Sequence, residues 1–107
     1  MTPALTPPLA LDYLRELSTD VREGAVLGAD GALLAGPPAL AEPVRALLVA
    51  AGDAAEVQVT LPRGAVYAVR SPRHAVVVAC GPFSLPALSL YDLRVVLAEL
   101  DGDRAPA

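Results

Sequence analysis

Apolar residues recur along the chain with two different periods, and the change from one to the other predicts where helices give way to strands. In the first part the apolar positions are three or four residues apart, at Leu11, Leu14, Leu17 and Val21. This spacing places them on one face of a helix. Thr6 followed by proline fits the N-cap and first turn of that helix. We therefore expect an amphipathic helix that begins near residue 7 and ends near residues 18–20.

The segment 24–36, GAVLGADGALLAG, predicts a β-hairpin around which the rest of the chain is organised. Two short apolar runs flank Asp30 and Gly31. An Asp-Gly pair in this position is typical of a type I′ turn, which needs positive φ at both central residues. Because the side chains of both runs are small and apolar, we expect both faces of the hairpin to be covered.

A second helix is predicted after the Pro37-Pro38 break. Its apolar positions follow a helical spacing, at Leu40, Val44, Leu47, Leu48 and Ala51. Pro43 is tolerated only in the first turn, so the regular helix should begin near Ala41, and Gly52 is placed to end it. Since Glu42 and Arg45 are almost its only charges, its exposed face should be unusually apolar.

Three strands and a closing helix complete the predicted order. Residues 56–61 alternate between polar and apolar, 65–70 form a second strand, and 74–80 are almost continuously apolar. The last of these belongs in the middle of a sheet, whereas the first is the most polar and is predicted to be an edge. A final helix begins either near Pro86 or near Ser89, and its apolar face is formed by Leu90, Leu93, Val96, Leu97 and Leu100. The order is α-β-β-α-β-β-β-α.

Length and composition indicate a single domain over residues 1–107, with an ordered core over about 7–101 and short flexible tails. No apolar run approaches the roughly 18 residues that cross a bilayer, and the N-terminus has no basic region typical of a secretory signal. The single cysteine predicts a reducing, cytoplasmic location. A net charge of −4 without any lysine argues against nucleic acid as a partner. Only 19% of the residues are charged, which suggests that a partner protein covers some apolar surface.

Residues with catalytic or ligand-binding chemistry are few, and we predict no catalytic residue, cofactor site or metal site. The glycines of the hairpin lack the phosphate-binding patterns and are explained by turns and close packing. His74 and Cys80 begin and end one strand, roughly 20 Å apart, too far for a nucleophile and its base. Cys80 is expected to be a buried apolar residue and His74 to be exposed. A weak basic patch is possible at Arg63, Arg70 and Arg73, although solvated surface is the simpler interpretation. Tyr67 is expected in the core, with its hydroxyl group at the rim.

The order of elements and two stretches of sequence resemble the Roadblock/LC7 family, including its bacterial members. The first stretch, VREGAVLGADGALLAG, has the apolar strand, acidic-glycine turn and second apolar strand that are typical of the family. The second, VTLPRGAVYAVRSPRHAVVVACGP, is similar to its three-stranded meander. The resemblance extends over about residues 9–100. Its motifs are apolar patterns and turn residues, and profilin-like and longin-like folds share parts of the layout.

The resemblance implies an α/β (α+β) sandwich with a five-stranded antiparallel sheet in the order 2-1-5-4-3. The first and last helices would lie on one face and the middle helix on the other. It also implies a homodimer formed through strand three and helix two, and the pattern independently marks that strand as an edge and that helix as too apolar for a solvated surface. The predicted dimer interface comprises Leu40, Val44, Leu47, Leu48, Val57, Val59 and Leu61.

The functional partner implied by the resemblance is a small Ras-like GTPase, which such proteins bind and regulate without catalysis. An alternative is a module of PAS-like or profilin-like layout that senses a small ligand between the sheet and a helix. The scarcity of polar groups that could orient a ligand argues against this alternative. An enzyme is the least supported class, because no acid, base and nucleophile fall together.

Overall fold

The computed structural model describes residues 5–102, and within them three α-helices surround a five-stranded antiparallel sheet. The predicted order is confirmed, and a 3₁₀ turn at Pro38–Leu40 precedes the second helix. The predicted flexible tails lie almost entirely outside the described residues. The elements are α1 (Pro7–Leu17), β1 (Val21–Gly28), β2 (Leu33–Ala35), α2 (Ala41–Ala50), β3 (Glu56–Leu61), β4 (Gly64–Arg70), β5 (His74–Cys80) and α3 (Pro86–Asp101).

The strands are arranged β2-β1-β5-β4-β3, as predicted. The apolar strand β5 lies at the centre, paired antiparallel with β1 on one side and with β4 on the other. A central strand is covered on both faces, which is why β5 carries apolar residues at nearly every position. The two edges of the sheet are β2, which is three residues long, and β3, which is six.

The larger part of the core lies between the sheet and the helices α1 and α3. These helices contribute buried side chains that pack on Val26, Tyr67, Val76 and Val78 of the sheet. The buried helix residues are Ala10, Leu11, Leu14, Leu93, Val96, Leu97 and Leu100. The apolar face predicted for α3 is therefore confirmed, with Leu90 only partly buried at its margin.

Helix α2 covers the opposite face with a smaller core. Val44 packs there with Ala25, Leu27, Ala68 and Val77. This arrangement confirms the predicted layers, with the first and last helices on one face and the middle helix on the other. None of the described helices is long and apolar enough to cross a membrane.

The hairpin forms, but its turn is not the predicted type I′. Only Gly31 has a positive φ, at 81°, whereas a type I′ turn requires positive φ at Asp30 as well. The Gly31 N–H donates to the Gly28 carbonyl oxygen at 3.0 Å. The Asp30 carboxylate accepts from the Ala32 N–H at 3.0 Å, a local bond that stabilises the turn without a positive φ at a non-glycine residue. The β1–β2 register also shifts, between Val26 and Leu27.

The helix predicted at the N-terminus begins as expected but has a shorter apolar face. The Thr6 hydroxyl accepts from the Leu9 N–H, which confirms the N-cap. Val21, however, is the first residue of β1, and Leu17 is exposed. The chain leaves the helix at Ser18, whose backbone is extended and whose hydroxyl accepts from the Asp20 N–H at 3.2 Å. The apolar spacing of three and four residues extends to Val21 only by coincidence, because Val21 belongs to β1 and not to the helix.

Candidate functional site

Strand β3 provides an open edge at one side of the sheet. It pairs with β4 over residues 56–61, and among the described residues no strand pairs with its other edge. Val57 and Val59 are half-buried, and Val59 shares a cavity with α2, whereas Leu61 is exposed at the end of the strand. An unpaired edge next to incompletely covered valines is a surface on which another strand can pair.

Helix α2 lies beside this edge and presents apolar groups both to the sheet and to solvent. Val44 is only 6% exposed and belongs to the protomer core, whereas Val49 is 80% exposed. Leu47 and Leu48, and Leu40 just before the helix, lie between these extremes, each half-buried. The prediction that the outer face of this helix is unusually apolar is therefore confirmed.

A groove of about 250 Å³ remains between α2 and the sheet. Its helix side is formed by Leu40, Pro43 and Leu47, and its sheet side includes Val59 and Val66. Glu23 is the only charged residue that lines it. The groove follows from the size mismatch between a ten-residue helix and a five-stranded sheet, since one short helix cannot cover the whole face.

Arg70 fixes the C-terminal end of α2. From the last position of β4, its guanidinium donates to the carbonyl oxygens of Leu48, at 3.0 Å, and Ala54, at 2.8 Å, and also to that of Gly52. These are carbonyls of the helix end and of the α2–β3 connection, which have no partner within the helix. A positive charge at this end is also favourable to the helix dipole.

Arg45 fixes the first half of α2 to the hairpin. Its Nε donates to the Gly31 carbonyl oxygen at 2.7 Å, and its Nη1 lies 2.7 Å from the Glu42 carboxylate. Asp30 and Gly31 thus serve as the turn and as an anchoring point for α2. Together the two arginines hold the helix in one position over the sheet.

The structure brings the residues predicted for a dimer interface to one side of the molecule, with one distinction among them. Six are at least partly exposed: Leu40, Leu47, Leu48, Val57, Val59 and Leu61. Val44 instead packs inside the protomer, because it is on the side of α2 that faces the sheet. Their assignment to an interface stays a prediction. The sequence did not predict that Arg45 and Arg70 attach α2 to the rest of the fold, because no local sequence pattern indicates such contacts.

The residues considered for chemistry have structural surroundings. Cys80 is buried as predicted, and burial, together with the nearby Asp20 carboxylate, raises the pKa of its thiol to about 11. Such a thiol is protonated and unreactive at neutral pH. Tyr67 is buried, and its hydroxyl forms a 2.8 Å hydrogen bond with the Ser84 hydroxyl, as expected of a core tyrosine. Among residues 5–102 no group of three or more potential metal ligands occurs.

The predictions for His74 and for the arginines need correction. His74 is not exposed: it is half-buried, and its Nδ1 lies 2.6 Å from the largely buried Asp101 carboxylate at the end of α3. Arg73 donates to the Asp101 carbonyl oxygen at 2.5 Å. Arg70 is engaged with α2, so the three arginines do not form one basic patch. Each of these contacts joins residues that are distant in sequence, which local patterns cannot predict.

Comparison with known proteins identifies similar structures but no similar sequence. No family model matches the chain, and no curated protein matches it. The Roadblock/LC7 domain from Streptomyces avermitilis is 15% identical, with a TM-score of 0.72 over 87% of this chain and 92% of that one. Myxococcus xanthus MglB is 14% identical, with a TM-score of 0.74 over 87% and 89% of the two chains.

Two further solved structures have a similar fold. Schizosaccharomyces pombe profilin is 11% identical, with a TM-score of 0.68 over 86% of this chain and 94% of that one. A structure described as MglB with a tetrameric arrangement is 16% identical, with a TM-score of 0.60 over 89% and 88%. The helices on both faces and the strand order 2-1-5-4-3 agree with these matches, and the chain therefore has the profilin-like fold of the Roadblock/LC7 domains, as its sequence predicts.

Proposed function

We propose that the protein is a non-catalytic, homodimeric scaffold of the cytoplasm that binds a small Ras-like GTPase and modulates its nucleotide cycle or its localisation. The observation that carries the proposal is the open edge of β3 beside the apolar outer face of α2. The likeness in fold to MglB supports it, as does the self-association of the MglB described as tetrameric.

Dimerisation through β3 follows from the physical properties of this edge. An exposed strand edge with apolar neighbours pairs readily with another strand. Around a two-fold axis, the β3 edge of one copy pairs with the β3 edge of the other. Both edges are then occupied, so this contact produces a dimer and no larger assembly. The two sheets would then join into one of ten strands. The half-buried Val57 and Val59 and the apolar outer face of α2 would lie at the junction.

Regulation of a GTPase requires no chemistry from the scaffold itself. A protein that binds the two nucleotide states of a GTPase with different affinity shifts the equilibrium between them by that difference. The rigid attachment of α2 by Arg45 and Arg70 supports this role, because a fixed surface distinguishes two arrangements of a partner better than a mobile one.

The dimer is tested by adding a charge to each edge of the sheet in turn. Val59→Arg on β3 should reduce the mass measured by light scattering from twice the 11.0 kDa of the protomer to that of the protomer, because an unpaired guanidinium opposes strand pairing. Leu34→Arg on the opposite edge strand β2 is the matched control and should leave the dimer intact. A dimer that survives Val59→Arg, or dissociates equally with Leu34→Arg, would show that β3 is not the contact.

The GTPase is tested with a candidate small Ras-like GTPase from the same organism, loaded with GDP or with a GTP analogue. Calorimetric titration should give different affinities for the two states. Equal affinity, or no binding in either state, would refute the regulatory role while leaving the dimer standing.

The groove under α2 supports a second candidate, a sensor of a small apolar molecule. Its volume of about 250 Å³ approaches the lower end of ligand-binding cavities. Under this alternative an apolar fluorescent probe should bind the protein, and Val66→Phe, which fills the groove from the sheet side, should abolish binding. Failure of the probe to bind would exclude the alternative and would not affect the first proposal.

A further inference from the structure

The outer side of α3 carries a row of exposed apolar side chains. Leu88, Tyr91 and Val95 are exposed at positions i, i+3 and i+7, which lie along one line of a helix. The buried residues of the same helix lie on the opposite side, against the sheet. This row is in the α1–α3 layer, on the other side of the sheet from α2, and is therefore separate from the proposed dimer interface.

The loop before α3 adds two more exposed apolar side chains, one of them the only phenylalanine of the chain. Phe83 is 85% exposed, and Leu85 is exposed beside it. The loop is anchored at Asp20, whose carboxylate accepts from the Phe83 N–H at 3.0 Å and whose carbonyl oxygen accepts from the Gly81 N–H at 2.9 Å. The anchored backbone holds the aromatic ring outside the core. We refer to this surface as the α3 patch, comprising Phe83, Leu85, Leu88, Tyr91 and Val95.

Carboxylates border the α3 patch. Asp92 is i+4 from Leu88 and Glu99 is i+4 from Val95, so each neighbours an apolar member of the row. Neither forms an ion pair with another described residue, and the nearby Arg94 is engaged with Glu56 at 2.5 Å. Burial raises the pKa of the Asp92 carboxyl, so this carboxylate would gain from a neighbouring cation.

We propose that the α3 patch is a docking surface for an amphipathic helix of another protein, with apolar residues every three or four positions and Lys or Arg at their flanks. Apolar rows at helical spacing pack against the matching row of a second helix. The acidic border selects basic flanks, since opposite charges at the rim of an interface favour one partner and reject others. Phe83 and Tyr91 are the expected anchors, because aromatic residues dominate the energetics of such contacts.

The acidic border argues against two other occupants. In a two-fold contact with a second copy, identical patches would bring the carboxylates of both copies together, and like charges oppose association. An anionic membrane would be repelled for the same reason. A partner helix with an apolar face and basic flanks would cover the apolar side chains of the α3 patch and would also pair with the carboxylates at its border.

The test uses two helical peptides of about 18 residues, long enough to form a helix. Both carry leucines at the same helical spacing, with lysine flanks in one and glutamate flanks in the other. Titrated into the isotope-labelled full-length protein, the lysine peptide should shift amide resonances over 83–95 and bind at least about tenfold more tightly than the glutamate peptide. The affinity should fall as salt is added, since the charges are at the surface.

Variants locate the contact and distinguish the occupants. Phe83→Ser with Tyr91→Ser should weaken the lysine peptide at least about tenfold, whereas Leu34→Ser, an exposed apolar residue of β2, should have no effect. Asp92→Asn with Glu99→Gln should remove the preference for lysine flanks. Far-ultraviolet circular dichroism is expected to be unchanged in all of them, because the replaced apolar side chains are exposed and the two carboxylates are replaced by amides of the same size.

Several outcomes would overturn the proposal. Equal binding of the two peptides, resonance shifts confined to α2 and β3, or binding insensitive to Phe83 and Tyr91 would each exclude the α3 patch as a charge-selective site. Flotation with phosphatidylcholine or phosphatidylserine vesicles that is lost with Phe83→Ser would assign the surface to a membrane. A particle larger than a dimer that dissociates with the same variant would assign it to a further copy of the chain.

Discussion

Arg70 is the residue on which the position of α2 depends most directly, because its guanidinium donates to carbonyls at the helix end and in the following connection. Arg45 has the corresponding role at the first half of the helix, through the Gly31 carbonyl oxygen. Val44 is the one buried side chain of α2, and Leu48 packs beside it only partly buried. Polar contacts by two arginines therefore add to this limited apolar packing in holding the helix on the sheet.

We expect Arg70→Met to lower the free energy of unfolding by about 1 to 2 kcal/mol, because the carbonyls lose their charged donor while water replaces part of it. Arg70→Lys should recover only part of this loss, since an ammonium lacks the planar fork that reaches several acceptors at once. Urea denaturation measures the change. Arg63→Met, at an exposed turn, is the control and should alter stability by less than about 0.5 kcal/mol. An equal effect of Arg63→Met and Arg70→Met would contradict the role of Arg70.

Cys80 predicts a pH dependence at the residue scale. Its thiol has a pKa of about 11 when folded, against 9.0 for the exposed group, because burial and Asp20 disfavour the thiolate. Between these values the unfolded chain loses the proton and the folded chain keeps it, so the free energy of unfolding falls as the pH rises. From pH 8 to 10.5 the wild-type protein should therefore lose more stability in urea than Cys80→Ala. Parallel losses in the two proteins would show that the thiol is not responsible.

At the scale of elements, the two faces of the sheet are covered unequally. Helices α1 and α3 share one face and bury seven side chains between them, whereas the ten-residue α2 alone covers the other and buries one. The groove beneath α2 and the half-buried valines of β3 both result from this inequality. The less completely covered face is the one on which we place the dimer contact.

Two valines of α2 distinguish its inner and outer faces. Val44→Ala should destabilise the protomer by about 2 kcal/mol, from two lost methyl groups and the space they leave. Val49→Ala, at an exposed position, should change the stability of the monomeric Val59→Arg background by less than about 0.5 kcal/mol. Denaturation in that background separates folding from association. A comparable loss in both variants would mean that α2 is covered on its outer face even in the protomer.

At the scale of the whole molecule, the proposed dimer would cover the open β3 edge and the apolar outer face of α2. Its formation would therefore also stabilise the fold of each protomer. A net charge of −4 is modest, so repulsion between two copies opposes association only weakly. The α3 patch lies in the layer on the other side of the sheet. A dimer would therefore present two such patches while its own contact remained closed.

The thermal midpoint should consequently depend on protein concentration. Because a dimer dissociates on unfolding, mass action raises the midpoint by about 5 °C for a hundredfold increase in concentration of a chain of this length. Calorimetry over that range measures the shift. Val59→Arg should give a midpoint that is lower and independent of concentration, and a concentration-independent midpoint in the wild-type protein would refute the dimer.

Local pattern by itself determined the elements of this protein. The helices and strands could be predicted from the spacing of apolar residues. A buried face repeats every three to four residues in a helix and every second residue in a strand, and this repeat is visible over a few neighbouring positions. The continuously apolar β5 predicted its central place, and the polar alternation of β3 its place at the edge. The same information failed at the hairpin turn, where the Asp30 carboxylate provides an alternative to the type I′ conformation.

Only the tertiary structure decided which distant residues meet. Arg70 with the end of α2, His74 with Asp101, and Asp20 with the loop that presents Phe83 are pairs that are more than fifteen residues apart in the chain. No local spacing encodes such contacts, since each depends on how the strands pair and how the helices lie on them. For the same reason the sequence identified α2 as too apolar for solvent, but the fold was needed to separate the core side chain of Val44 from the exposed one of Val49.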